Sequence, residues 1–141
     1  MPKHILIDGD QALFQPTFGQ ATVVVRPGTI QGSSKDTLSG KNICVDGDEK
    51  TVVVPGCMYT SGSFTVPGAG TLKIASLGGD QKAKETYSGG KPVILKGSMF
   101  IARFEVTSPA KLPPPPSTPD PVPVYPGQGQ FVTTNDLFEG I

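Results

Sequence analysis

The sequence has no tryptophan, one histidine, two cysteines and no net charge, because Lys+Arg 12 balance Asp+Glu 12. Each shortage excludes something. With His4 the only imidazole, a hydroxyl or thiol nucleophile has a single histidine base to draw on, and that base lies near the start of the sequence. There is no Gly-x-Ser-x-Gly elbow, no phosphate loop closing on Gly-Lys-Ser/Thr and no dinucleotide fingerprint ahead of a helix. The sequence therefore reads as that of a protein that is not an enzyme. Neither sign of charge forms a long run, so the electrostatic footprint of a nucleic-acid binder is missing. No apolar stretch approaches the roughly 20 residues of a membrane helix. Residues 1–10 turn acidic before a signal-peptide core develops, which predicts a protein made in the cytoplasm. Two cysteines are too few for the disulfide framework of a small secreted scaffold.

What is abundant is glycine, at 18 residues, and proline, at 15, in a chain of 141 residues with 36% hydrophobic content. That composition predicts one thin core interrupted by many turns, an all-β compact or cone-like domain of short strands. Short β-branched runs punctuated by turn residues give seven to nine strands. Asp46-Gly47 between two apolar runs predicts a hairpin over residues 42–54, and Pro67-Gly68-Ala69-Gly70 and Lys96-Gly97-Ser98 read as turns. Residues 99–106 alternate, placing Phe100, Ala102, Phe104 and Val106 on one face. One short helix is predicted over residues 79–86, capped by Asp80 and stopped by Gly89 and Gly90. After Lys111 the run Pro113 to Pro116, followed by Pro119, Pro121, Pro123 and Pro126, predicts an extended polyproline spacer. The resulting division is an N-terminal segment (1–20), a β domain (21–110), a Pro-rich linker (111–130) and a C-terminal peptide (131–141) with the composition of a docking segment.

Asp46, Asp48 and Glu49 form an acidic stretch without the spacing of a calcium loop, and so read as a solvated tip. Cys44 and Cys57 flank the predicted hairpin. Three readings stay open for them: buried apolar cysteines, two ligands of a zinc or iron site completed by His4, or a disulfide.

Three passages are similar to a known family. They are residues 30–34 with 39–49 (Ile30-Gln31-Gly32-Ser33-Ser34 and Ser39-Gly40-Lys41-Asn42-Ile43-Cys44-Val45-Asp46-Gly47-Asp48-Glu49), then Val54-Pro55-Gly56-Cys57-Met58-Tyr59, then Pro67-Gly68-Ala69-Gly70-Thr71-Leu72-Lys73-Ile74. Residues 30–106 resemble a PAAR-like protein, of the family that tips the spike of type VI secretion systems, contractile phage tails and related injection machines. The resemblance implies a tapered β structure that caps a trimeric spike, helps pierce a membrane and carries an effector or cargo, here on the Pro-rich tail. It implies assembly on an injection apparatus or virion, delivery outside the cell and brief membrane contact. It also implies a metal at the apex, for which His4, Cys44 and Cys57 are this chain's only matching donors. A different reading is a non-catalytic β module that binds glycan or protein through exposed Tyr59, Phe64 and Tyr87.

Overall fold

A computed structural model describes residues 3–38, 40–114, 117–133, 135 and 139–140. Its strands are β1 (Lys3–His4), β2 (Gln11–Phe14), β3 (Thr17–Phe18), β4 (Ala21–Val23), β5 (Gly28–Thr29), β6 (Thr37–Leu38) and β7 (Lys41–Asn42). After a single 3-10 turn (Asp48–Thr51) come β8 (Val53–Ser61), β9 (Phe64–Ser76), β10 (Lys82–Ser88), β11 (Lys91–Ile94), β12 (Phe100–Ser108), β13 (Val124–Val132) and β14 (Glu139–Gly140). The all-β class is as expected. The strands outnumber the expected seven to nine because many are two-residue pieces that composition cannot separate from turns.

Eight strands form one sheet in the order β3-β4-β8-β9-β12-β13-β2-β5, curled into a half-barrel. The alternation in β12 does what its sequence requires: Phe100, Ala102 and Phe104 are fully buried and Val106 is half-buried, while Ile101 stays 50% exposed. Inside the curl, Phe104 packs against Tyr59 and Phe18, and Phe100 against Phe14 and Phe131. Glycines make room for these rings. A Cβ on Gly70 would lie 2.5 Å from Phe104 Cζ, one on Gly129 2.5 Å from Phe100 Cζ, and one on Gly127 2.4 Å from Phe18 Cδ2. Residues 67–70 are therefore not the expected turn. They run inside β9, because glycine there lets an aromatic ring and the neighbouring backbone approach closely.

Two other local expectations give way to strand pairing. The Asp46-Gly47 turn forms, with Gly47 at φ 103°, but it feeds the 3-10 turn instead of closing a hairpin over residues 42–54. Val45 bridges the distant Val93, and β8 pairs with β4 and, across the two-residue turn Gly62-Ser63, with β9, which satisfies the backbone while burying Val54, Cys57 and Tyr59. Residues 79–86 are not a helix. From Lys82 onward they are strand β10, paired with β11 across Gly89 and Gly90, and Ala83 joins a small apolar cluster with Val45 and Val93. A partner strand a few residues away wins over weak helix propensity.

The sheet also reaches past the expected domain limits. β2 lies within residues 1–20, and β13, in the stretch expected as linker and terminal peptide, sits between β12 and β2. The Pro-rich stretch folds back on itself: Lys111 bridges both Val66 and Pro119, the Leu112 N–H donates to the Thr118 carbonyl, and the Asp120 N–H donates to Ala110. Asp120 is buried and accepts hydrogen bonds from the Tyr59 hydroxyl (2.8 Å), the Tyr125 hydroxyl (2.7 Å) and the Val122 N–H (3.0 Å). That cluster pins the loop to the sheet. Of the expected terminal peptide, β14 pairs with β1, and residues 134, 136–138 and 141 lie outside the described residues.

Candidate functional site

Three short stretches of the chain are variations on one pattern: Lys3-His4-Ile5-Leu6-Ile7-Asp8-Gly9-Asp10, Lys41-Asn42-Ile43-Cys44-Val45-Asp46-Gly47-Asp48 and Lys91-Pro92-Val93-Ile94-Leu95-Lys96-Gly97-Ser98. The fold brings them together around a pseudo-threefold axis. The Leu6 N–H donates to Ile94 O (2.9 Å), the Ile94 N–H to Cys44 O (2.9 Å) and the Cys44 N–H to Leu6 O (3.0 Å), closing a ring. A second ring surrounds it: Asp8 N–H to Asn42 O (2.7 Å), Asp46 N–H to Pro92 O (2.8 Å) and Lys96 N–H to His4 O (2.8 Å). Proline is tolerated at position 92 because the ring asks only for its carbonyl. The bridges Ile5↔Leu95, Ile7↔Ile43 and Val45↔Val93 complete the three sides.

Alternation gives this layer two apolar faces. Leu6, Cys44 and Ile94 are fully buried against the aromatic core, and Ile5, Ile43, Val45, Val93 and Leu95 form the second cluster with Ala83. Each strand of the layer carries one further strand, in the pairs β1–β14, β6–β7 and β10–β11. The result is a cap of three two-stranded ribbons over the half-barrel.

The turn after each stretch uses the same device twice and a substitute once. Gly9, Gly47 and Gly97 all have positive φ. The Asp10 carboxylate accepts from the Ile7 N–H (2.8 Å), and Asp48 accepts from the Val45 N–H (2.9 Å) and the Ser33 N–H (3.0 Å). In the third stretch, where Ser98 replaces the aspartate, the Leu95 N–H donates instead to the Gln81 carbonyl (2.8 Å), and buried Gln81 ties down Lys96 O through Nε2. The acidic stretch at residues 46–49 is thus only partly a solvated tip, because Asp48 is 7% exposed and engaged by backbone. Glu49 in turn accepts from the Gly47 N–H.

His4, Cys44 and Cys57 occupy separate roles. His4 is half-buried in β1 and contributes its carbonyl to the outer ring, and Cys44 lies on the axis. Cys57 is in β8, its thiol facing Val54 O (3.7 Å) with the Arg26 guanidinium 3.9 Å away. Both cysteines are free and fully buried, which matches the buried-apolar reading and not the disulfide. Among the described residues no group of three or more His, Cys, Asp or Glu side chains is gathered for a metal ion. Burial, with Asp48, Asp10 and Asp8 nearby, pushes the Cys44 thiol well above the ordinary thiol range, so it stays protonated at neutral pH. The described fold does not gather His4, Cys44 and Cys57 into one ligand set. Thiol-reactive dye added to the native protein at neutral pH is expected to label neither cysteine, and to label both once denaturant unfolds the chain; rapid native labelling of Cys44 would show an open axis.

The aromatic patch expected of a glycan-binding module does not form. Tyr59 is 1% exposed and spends its hydroxyl on Asp120, while Tyr87, at 57% exposed, stands on the far ribbon hairpin. Sequence reasoning missed the repeated pattern itself, whose signal was legible in the shared lysine, isoleucine and Asp-Gly-Asp of the first two stretches.

Fold and cap together define a small all-β protein with internal pseudo-threefold symmetry. The chain belongs to the family of contractile injection system spike tip proteins, whose model matches residues 1–141. It is therefore a structural tip component associated with the spike machinery, assembled on an injection apparatus and delivered outside the cell. No curated protein matches the sequence. No helix among the described residues is long and apolar enough to cross a membrane.

Proposed function

We propose that this chain caps a homotrimeric spike, one copy per trimer, and stiffens its point for passage through a target membrane, with no catalytic role. The observation that carries this reading is the closed ring of three hydrogen bonds joining Leu6, Cys44 and Ile94. One asymmetric chain can meet three identical chains equally only if it offers three similar surfaces, and three ribbons around one axis do so. A body in which short strands brace one another through backbone bonds suits axial load, and an effector would have the proline-rich loop as its handle.

Co-expression with the spike protein of the same injection apparatus, followed by native mass spectrometry, tests the reading. The expected mass is three spike chains plus one copy of this protein. Three copies per trimer, or no complex, would refute it.

A further inference from the structure

On the outer face of the half-barrel, two cations stand directly opposite each other. The register pairs Arg103 of β12 with Lys73 of β9, and Lys73 in turn with Val53 of β8. Like charges facing one another across a sheet destabilise it, so this pairing calls for a third group. Glu105, two residues along β12 and therefore on the same face, supplies it: one carboxylate oxygen lies 2.9 Å from Lys73 Nζ and the other 3.0 Å from Arg103 Nε. The two cations already hold one oxyanion between them, one oxygen each.

A recess of about 230 Å³ opens beside that clasp, lined by Lys50, Lys73 and Arg103 with Val52, Val53 and Ile74. It is smaller than the ~300 Å³ at which sites for drug-sized ligands begin, so its size suits a small group. Lys50, in the 3-10 turn, pairs with no carboxylate among the described residues. Arg103 meets Glu105 through Nε, which leaves its two Nη atoms for a further acceptor. Three cations therefore share a recess with no carboxylate among the described residues that line it, and Glu105 alone stands alongside. In a chain without net charge this is a local surplus, and buried Val52 and Ile74 limit the water that would weaken it.

We infer that this recess is an oxyanion site that takes a phosphate group, held by Lys50, Lys73 and Arg103. Phosphate fits better than carboxylate by count: Lys73 and Arg103 suffice for the two oxygens of Glu105, and a third cation calls for a third oxygen. The residue types agree, since a guanidinium offers phosphate a planar fork and an ammonium offers it a compact point charge. Glu105 competes for two of the three cations and so restrains the affinity, while keeping both side chains in place when the site is empty. A free phosphate ion and the headgroup of an anionic phospholipid share this chemistry.

Amide NMR of the full chain, titrated with sodium phosphate and separately with sodium chloride at equal ionic strength, reads the site and the fold together. Saturable shifts at residues 50–53, 73, 74 and 103 are expected with phosphate and not with chloride. Lys50→Gln is expected to weaken binding at least ~5-fold and Glu105→Gln, which frees two cations, to tighten it at least ~3-fold. Lys84→Gln, at an exposed lysine of β10 outside the recess, should leave binding unchanged. Sedimentation with phosphatidylcholine vesicles, with and without phosphatidic acid, separates the two sources. Pelleting that requires phosphatidic acid and is lost in Lys50→Gln assigns the site to a lipid headgroup, and phosphate binding without pelleting assigns it to the free ion. Absence of both saturable phosphate shifts and Lys50-dependent pelleting overturns the inference, as does equal weakening by Lys84→Gln or no gain from Glu105→Gln.

Discussion

Asp120→Ala is expected to cost about 2–4 kcal/mol of stability and to release the proline-rich loop, because it strips a buried network of its only charged acceptor. Asp120 takes both tyrosine hydroxyls, and the Tyr59 hydroxyl also accepts from the Ala110 N–H at 3.0 Å. Without the carboxylate, two buried hydroxyls lose their acceptor, although Tyr125 retains Ser61 at 2.9 Å. Burial pushes the Tyr59 hydroxyl up to about 12, with Asp120 adding to the rise, so it remains a donor throughout the neutral range. At Asp120 burial works to raise the pKa, but donation from Tyr125, Val122 and Tyr59 outweighs it and the carboxyl is held below its ordinary 3.8. A folded-state value below the unfolded one means that the stabilisation is present above the unfolded value and is lost as pH falls through the folded one. Thermal unfolding at neutral pH should show a lowered midpoint for Asp120→Ala, and the midpoint should fall less steeply on acidification than in the wild type. Limited proteolysis should cut the variant first within residues 112–118. Equal acid sensitivity in the two proteins would show that Asp120 is not the titrating group.

Phe104→Ala is expected to be the more damaging change, at about 3–5 kcal/mol, a large part of the total stability of a domain this size. Phe104 is fully buried, its ring centroid 5.1 Å from Tyr59 and 6.1 Å from Phe18, and it lies over Gly70 where no side chain can fill the gap. The cavity therefore cannot collapse without moving β9 relative to β12. Denaturant titration measures the loss, with Ile101→Ala on the opposite face of the same strand as the control. Ile101 is half exposed, and its truncation should cost well under half as much. Equal losses at the two positions would mean that the curled sheet does not bury the face assigned to it.

The cap and the half-barrel depend on each other through the same side chains. Leu6, Cys44 and Ile94 close the axis on one side and pack into the aromatic core on the other, so a change at Phe104 or Phe100 is felt at the cap. Asp10 and Asp48 are held under similar constraint, their buried carboxylates fastening the turns that follow the first two stretches. A tip under axial load benefits from this arrangement, because close-packed interiors transmit strain instead of absorbing it.

Read without its tertiary structure, the chain already declared its class. The alternation of residues 99–106 specified which face of β12 is buried, and glycine and proline content specified many short strands, because side-chain periodicity and backbone permission are local properties. The buried-apolar reading of Cys44 and Cys57 was within reach for the same reason. Strand partnership could not be read from turn signals alone. Asp46-Gly47 promised a hairpin with its neighbour, yet Val45 found Val93 and β8 found β4 and β9, since an unpaired edge is satisfied by whichever strand packing brings alongside. Residues 79–86 became strand because β11 lay waiting, residues 67–70 stayed extended because Gly70 leaves room for the Phe104 ring and Gly68 for the backbone of residues 108–110, and residues 124–132 entered the sheet despite the prolines before them. The threefold cap belongs wholly to the tertiary structure. Its repeats are written in the sequence at residues 3–10, 41–48 and 91–98, but only when the intervening strands curl into one half-barrel do Leu6, Cys44 and Ile94 meet and close the ring.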